Sequence, residues 1–587
     1  MIIFTERNIL KKIVGSFSLL FLLFGISAFV SLFWVIFLKL NTGYVVNHIV
    51  WVALLHTLVW SFFYNYSTKV VYFFYIILLI LFYGLVSFSF IQWGDVITLK
   101  ITTTYLSDLP AFLKSIHVHP ITAIAIILGV IAVSFLLLKT TSFFTSAFRI
   151  NQKFLWILFF ITLITSISTK RYFHKNNEPT LVFLFDKMWG LQDNPYMNKH
   201  RTIIGKSDIE LFENFTINST PTKNVVLIVC DALRADHLSM YGYNYITTPF
   251  LDSLFKANKL TAINNCLSTS ASTTVGIPSL LLSRRWKDCD INGFNLIKLL
   301  KKAGYNTHAI VSGAHKEWYN LAKFYTDDCD TYFDGKNSSQ YYFKDDRVIL
   351  EGLDRSLSKT KQPFFYYLHI QSPHETALLL DQFTIIKTST NKRIADYDSK
   401  ILQADFIIKS VFKKLVETNQ LQNTIVVITA DHGDGLGEHA VNGHVDWLYK
   451  PQIHIPFLIF GADTLLNNTS SFALQLDIAP TIVDLLNIQI PSSWQGESLI
   501  KGRKNKFAYI ETGKNNMETK TRKYAFIADK DTALYKYIFT YDFSSEELYN
   551  LTIDPNETTN IYVPNSAIAS DLKRHIQSNF KQYYDVD

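Results

Sequence analysis

Val14 to Leu38 carries no charged residue, and this run exceeds the about 20 residues needed to cross a hydrocarbon core. Further apolar segments follow at 46–66, 70–93, 120–138 and 151–169, so the pattern predicts about five transmembrane helices in the first 170 residues. The second segment contains His56 and the fifth is short. The first is too long for a signal-peptide core and shows no small-residue cleavage site, so it is expected to stay in the mature chain. The stretch 94–119 is partly amphipathic and reads either as a surface-lying segment or as an ordinary connector.

Beyond residue 223 the rhythm changes. Short β-branched or aromatic runs, NVVLIVC (224–230), NTHAIV (306–311), FFYYLHI (364–370) and TIVVITA (424–430), alternate with helix-like stretches such as 292–303 and 397–418. Strands alternating with helices predict an α/β domain with a mostly parallel central sheet. Residues 171–223 are polar, have no clear period and read as a linker. The expected organisation is a transmembrane bundle over 1–170, the linker, and a catalytic α/β domain over 224–587.

Composition sharpens this picture. Of 587 residues, 49% are hydrophobic and 18% charged, the latter below the roughly 25% of ordinary soluble domains. That excludes a disordered chain. The net charge of +7 is spread along the sequence with no basic arm, so nucleic acid is not an expected partner. Lys and Arg in the short loops favour a cytoplasmic N-terminus, through Arg7, Lys11, Lys12, Lys69, Lys139, Arg149 and Lys153. Five spans would then leave the α/β domain outside the cytoplasm. Four cysteines are too few for a disulfide scaffold, although Cys266, Cys289 and Cys329 could include one disulfide.

In open parallel sheets the chemistry gathers at the carboxyl ends of strands. Asp231 follows the first run, His374 the third, and Asp431 with His432 the fourth. One Asp in such a place is as readily a helix cap. Carboxylates and imidazoles after three strands point instead to a divalent cation, with zinc favoured by the imidazole and calcium or manganese as alternatives. The stretch LSTSASTTVGIPSLLLSRR (267–285) sets a hydroxyl cluster before a helix-like run, where free N–H groups suit an anionic ester. It reads as a nucleophile loop or as a Ser/Thr-rich cap. Arg234 and Asp236 are expected to pair, Cys230 to be a core residue, and His315 with Lys316, just after a strand, to lie on a surface loop, with substrate contact as the alternative.

NVVLIVCDALRADHLSMYGY, TTPFLDSL, ITADHGDGLGEH, LDIAPTIVDLLNI and ELYNLTIDPNETTNI occur in that order over about 224–561. Together they resemble the alkaline phosphatase/sulfatase superfamily. With the apolar N-terminal region, the chain resembles the membrane-anchored phosphoethanolamine transferases of Gram-negative inner membranes, and is similar to lipoteichoic acid synthases. The resemblance implies a nucleophile at Thr273, five residues before Pro278, and a metal held by Asp231, Thr273, Asp431 and His432. It implies that His374 and His444 act near the substrate phosphate. His439 does not match the spacing.

Three features depart from the transferases: Asp231 stands where they carry Glu, cysteines are few, and the C-terminal motif is more typical of sulfatases. Formylglycine sulfatases, however, need Cys or Ser in a C-x-P-x-R core, and Gly276 occupies that place. The resemblance thus implies transfer of phosphoethanolamine from phosphatidylethanolamine to an envelope glycan of lipopolysaccharide type. The enzyme would act at the bacterial inner membrane, on its outer side. The alternative is a membrane-bound hydrolase of phosphate or sulfate esters.

Overall fold

The structure is a computed structural model. It describes residues 69–93, 99–106, 108–115, 118–141, 201–316, 321–384, 389–462, 471–512 and 522–583, with positions 27 and 30. The chain forms two compact units, one of Met1–Leu113 with His117–Pro195, the other of Lys114–Ile116 with Tyr196–Asp587.

In the first unit, α1 (Lys69–Trp93) and α4 (Pro120–Thr141) pack together; between them in sequence lie α2 (Leu99–Leu106) and α3 (Leu109–Ser115), the last two residues of α3 being counted with the second unit. The expected bundle of five membrane-spanning helices is corrected here. Among the described residues no helix is long and apolar enough to cross a membrane. The expected segments 14–38, 46–66 and 151–169 lie outside the described residues, apart from the isolated position 27 and position 30.

The second unit is built on a seven-stranded sheet. Its strands are β1 (Asn224–Cys230), β2 (Leu260–Ala262), β4 (Asn306–Val311), β5 (Thr331–Asp334), β6 (Phe364–Ile370), β7 (Thr424–Ala430) and β11 (Phe457–Phe460), in the order β2-β11-β7-β1-β6-β4-β5. Every residue of β1, β6 and β7 is buried, as continuous apolar runs covered on both faces require. Each fully buried Val, Leu or Ile there contributes about 1.5–3 kcal/mol relative to exposure.

The sheet is mixed, with parallel pairings in the majority. The strands from β7 to β5 are parallel, but β11 runs antiparallel to β7, and β2 antiparallel to β11. A parallel neighbour needs a crossover, usually a helix. Between Ala430 and Phe457 the chain makes loops, the short strands β8 (Gly435–Leu436), β9 (Asn442–Gly443) and β10 (His454–Ile455), and two short helical turns over Glu438–Ala440 and Lys450–Ile453, so it returns beside β7 in the opposite sense.

Two smaller sheets brace the region around Thr273. In one, β3 (Cys266–Leu267) lies between β10 (His454–Ile455) and β12 (Ala473–Leu474). The other is a C-terminal meander of β13 (Phe507–Glu511), β14 (Lys523–Lys530), β15 (Ala533–Thr540) and β16 (Glu546–Asn550). It leans on the same loop through the Glu511 N–H, which donates to the Thr269 carbonyl at 3.1 Å.

Part of the segment read as a linker is helical, over Arg201–Asn214, and Arg284 donates to its Asp208 at 2.5 Å. The expected disulfide is absent: all four cysteines are free thiols, with Cys230, Cys266 and Cys289 buried.

Candidate active site and metal centre

The carboxyl ends of β1, β6 and β7 lie side by side, with Cys230 in register with both Ile370 and Ala430. Asp231 and Asp431 therefore emerge together. The turn after β1 places Ala232 in the left-handed region at φ 61°, a conformation costing a β-carbon residue about 1–2 kcal/mol. It is held there by its N–H, which donates to Asp431 Oδ1 at 3.1 Å, and by its carbonyl, which accepts from the Tyr397 hydroxyl at 2.7 Å. Gln475 clamps the end of β7, its amide donating to the carbonyls of Ala430 and Asp431 at 3.0 and 2.8 Å.

Thr273 starts the helix Thr273–Leu282, capped by extended Ser272. Its Oγ1 is 3.0 Å from His432 Nε2. His432 Nδ1 is 2.7 Å from the Gly433 carbonyl. A carbonyl only accepts, so the proton sits on Nδ1 and Nε2 offers its lone pair, the form that binds a metal. That Nε2 lies 3.7 Å from Asp231 Oδ1 and 3.5 Å from Asp431 Oδ2. Both of these oxygens are buried without a hydrogen-bond partner.

Burial pushes the Asp231 carboxyl well above the usual range, and the nearby Asp431 charge adds to the shift. Two buried carboxylates with bare oxygens facing one lone pair are what a divalent cation would complete. These residues therefore fit a metal, and the site can hold one. His369, near the end of β6, offers a ligand atom within 4.8 Å of those from Asp231 and Asp431.

The two other expected histidines are close by. The rings of His432 and His444 are 4.3 Å apart, those of His374 and His444 5.3 Å. His374 Nδ1 accepts from the Thr376 N–H at 3.1 Å, so neutral His374 carries its proton on Nε2 and is a donor. His444 Nδ1 is 3.0 Å from Asp434 Oδ1. Burial opposes charging His444, but the Asp434 carboxylate outweighs it and raises the pKa above the usual value.

Several neighbours escaped the sequence reading because no local signal marks them. Gln371 donates to Asp231 Oδ2 at 2.6 Å. Lys344, buried beside Thr376, is pushed down to about 7 by burial, against the pull of Asp231. His315 is corrected from a surface loop to a buried position, its Nε2 2.9 Å from His369 Nδ1. The residue after a strand can fold back under the sheet edge as readily as outward, and only long-range packing decides which. His439 is stacked on Tyr449 at 4.1 Å. Arg234 does pair with Asp236, at 2.9 Å, and also with Glu438 at 2.8 Å.

Gly276 has a steric reason. A β-carbon there would lie 2.5 Å from the Asp431 carbonyl oxygen and 3.2 Å from its carbon. Both contacts are backbone, so Gly276→Ala should destabilise the protein by about 1–3 kcal/mol through overpacking. Chemical denaturation against wild type checks this; an unchanged midpoint would show that the loop yields freely.

Residues 223–488 match the sulfatase family, and residues 437–583 match the family described as N-sulphoglucosamine sulphohydrolase, C-terminal. Residues 223–488 thus form a domain of the alkaline phosphatase/sulfatase superfamily. An N-acetylglucosamine-6-O-sulfatase of Bacteroides thetaiotaomicron is 23% identical over 507 residues, spanning 63% of this chain and 88% of that protein. "Putative transferase YhbX" of Escherichia coli is 25% identical over 240 residues, spanning 40% of this chain and 42% of that protein. Among solved structures, BT4656 in complex with its substrate D-glucosamine-2-N,6-O-disulfate matches with TM-score 0.52 and 19% identity, covering 62% of this chain and 99% of that one. The C-terminal periplasmic domain of EcEptC from Escherichia coli matches with TM-score 0.46 and 18% identity, covering 56% and 95%.

Proposed function

We propose that the chain is a phosphotransferase that moves phosphoethanolamine from phosphatidylethanolamine to an envelope glycan of lipopolysaccharide type, through a phospho-Thr273 intermediate. The observation that carries this reading is the placement of Thr273. Its hydroxyl sits at a helix N-terminus, 3.0 Å from His432 Nε2, while Gly276, where a formylglycine would stand, has no room for a side chain. The partial similarity to a protein named as a transferase supports the same reading.

Asp231, Asp431 and His432 would hold the cation, zinc by the imidazole's preference, and when bound it lowers the pKa of the Thr273 hydroxyl and offsets phosphoryl charge. With the Thr273 hydroxyl proton released to solvent beforehand, Thr273 Oγ1 attacks the donor phosphorus in the first step, and the bond to the diacylglycerol oxygen breaks. His444, whose pKa Asp434 raises, gives that oxygen its proton, while neutral His374 donates a hydrogen bond from Nε2 to a phosphoryl oxygen. In the second step the now neutral His444 takes the proton of an acceptor hydroxyl, whose oxygen attacks the same phosphorus, and Thr273 Oγ1 leaves in the deprotonated form in which it began. The helix N-terminus stabilises the phosphoryl group throughout. This chemistry calls for a domain working on the outer side of the bacterial cytoplasmic membrane, at a phospholipid surface.

A second reading is a hydrolase of phosphate or sulfate esters, with water as the acceptor. It is favoured by the sulphohydrolase-type C-terminal match over 437–583 and by the sulfatase relatives. Intact-mass analysis of the purified chain after incubation with zinc and phosphatidylethanolamine separates the two. The transferase reading expects a phosphoethanolamine adduct at Thr273 that a glycan acceptor discharges. Release of free phosphoethanolamine to water at the same rate with and without acceptor would favour the hydrolase, and no adduct at all would sink the donor assignment.

A further inference from the structure

His369 is the penultimate residue of β6, where Val229 and Val311 flank it in register on the neighbouring strands. It is fully buried, and its Nε2 has no hydrogen-bond partner. Leaving such an atom unpaired costs about 1–3 kcal/mol. The two carboxylate oxygens left bare at the same site are those of Asp231 and Asp431, and these three side chains converge within 4.8 Å. On its other side, His369 Nδ1 lies 2.9 Å from His315 Nε2, and His315 Nδ1 lies 2.5 Å from the Tyr325 hydroxyl. All three rings are buried.

We infer that His369 Nε2 is a further ligand of the divalent cation, and that His315 and Tyr325 are positioning residues that hold His369 in the tautomer this requires. The chain of hydrogen bonds can run in two directions. When Nε2 gives its lone pair to the cation, the His369 proton sits on Nδ1 and is donated to His315 Nε2. His315 then keeps its own proton on Nδ1 and donates it to the Tyr325 oxygen. In the reverse direction an N–H would occupy the space between the carboxylates and exclude a cation. Binding a cation therefore selects the first direction, and a ligating imidazole backed by a buried acceptor is the usual means of fixing its orientation. A second imidazole moves the site further from the all-oxygen shells that calcium prefers, towards zinc-like ions.

This inference rests on the metal-centre reading of the site and is independent of whether the acceptor is a glycan or water. The test uses the full chain, stripped with a chelator and titrated with zinc against a chromophoric competitor, then with cobalt(II) for its visible ligand-field bands. His369→Ala is expected to weaken zinc binding by at least about 10–100-fold, the range for disturbing a ligand's surroundings, and to change the cobalt spectrum. His315→Ala should weaken zinc about 10-fold, and His315→Asn, whose amide can accept from His369 and donate to Tyr325, should recover most of that loss. His369→Gln, close in volume, serves should the alanine variant not fold.

Wild-type zinc affinity and an unchanged cobalt spectrum in both His369 variants, with binding lost in Asp431→Asn, would overturn the inference while sparing the metal centre. Wild-type binding in Asp431→Asn as well would remove both.

Discussion

Thr273→Ala is expected to lose at least about a thousandfold in turnover, in line with removal of other catalytic nucleophiles, while the protein stays folded. The side chain contributes a hydroxyl at a helix N-terminus, and its hydrogen-bond partner is His432 Nε2. The helix keeps its cap at Ser272 and the Ser272 carbonyl still accepts from the N–H groups of Val275 and Gly276. Stability should therefore shift by less than about 1 kcal/mol, the range of a minor cap change. Thr273→Ser keeps the oxygen and should retain a measurable fraction of the activity. Wild type and Thr273→Ser should take up a phosphorus-containing adduct by mass, and Thr273→Ala should not. Turnover in Thr273→Ala within tenfold of wild type would remove Thr273 from the chemistry.

The other large effect concerns Asp231, and it changes sign with metal. In chelator, two buried carboxylates face each other with one bare oxygen apiece. Asp231→Asn removes one charge, and its amide can still accept from Gln371 through the oxygen while offering an N–H towards Asp431. The metal-free variant should thus be more stable than metal-free wild type by about 1–3 kcal/mol, roughly a few degrees in Tm.

The pH dependence follows from the raised pKa of Asp231, caused first by burial and then by Asp431. A carboxyl that holds its proton more tightly in the folded state stabilises the fold below its ordinary value of 3.8. That contribution is lost as pH rises through the raised value. The advantage of Asp231→Asn in chelator should accordingly be small in acid and grow with pH. With zinc at about a thousand times its Kd the order reverses, because binding adds about 4.1 kcal/mol to wild type and nothing to a variant that no longer binds. Thermal unfolding with and without zinc across pH reads both effects. An Asp231→Asn protein that gains as much from zinc as wild type would take Asp231 out of the centre.

Much of the catalytic unit is legible in the chain itself. The runs 224–230, 306–311, 364–370 and 424–430 form strands with those bounds, because a continuous stretch of β-branched and aromatic residues is stable only as a strand buried on both faces. Polar residues directly after such strands must emerge at one edge of a parallel sheet, so the strand pattern alone groups Asp231, Asp431, His432 and His374. The motif order also carried Thr273 and His444, which the fold brings beside His432.

Other features escaped because their causes are not local. His369 looks like any residue of an apolar run, and its role depends on which side of the pleat faces Asp231. His315 follows a strand, which says nothing about whether the chain turns inward. The antiparallel return of β11 depends on the absence of a long crossover helix after β7, and the need for glycine at 276 depends on the backbone of Asp431, a residue far along the chain.

What the sequence determined by itself is the identity of the strands, the chemistry at their ends and the hydroxyl loop, since periodicity and side-chain type act over a few residues. The tertiary structure alone decided which oxygens are left bare, which nitrogen of each histidine bears the proton and where no β-carbon fits. Each of these is set by an atom belonging to a distant part of the chain, delivered only when the sheet closes around its core.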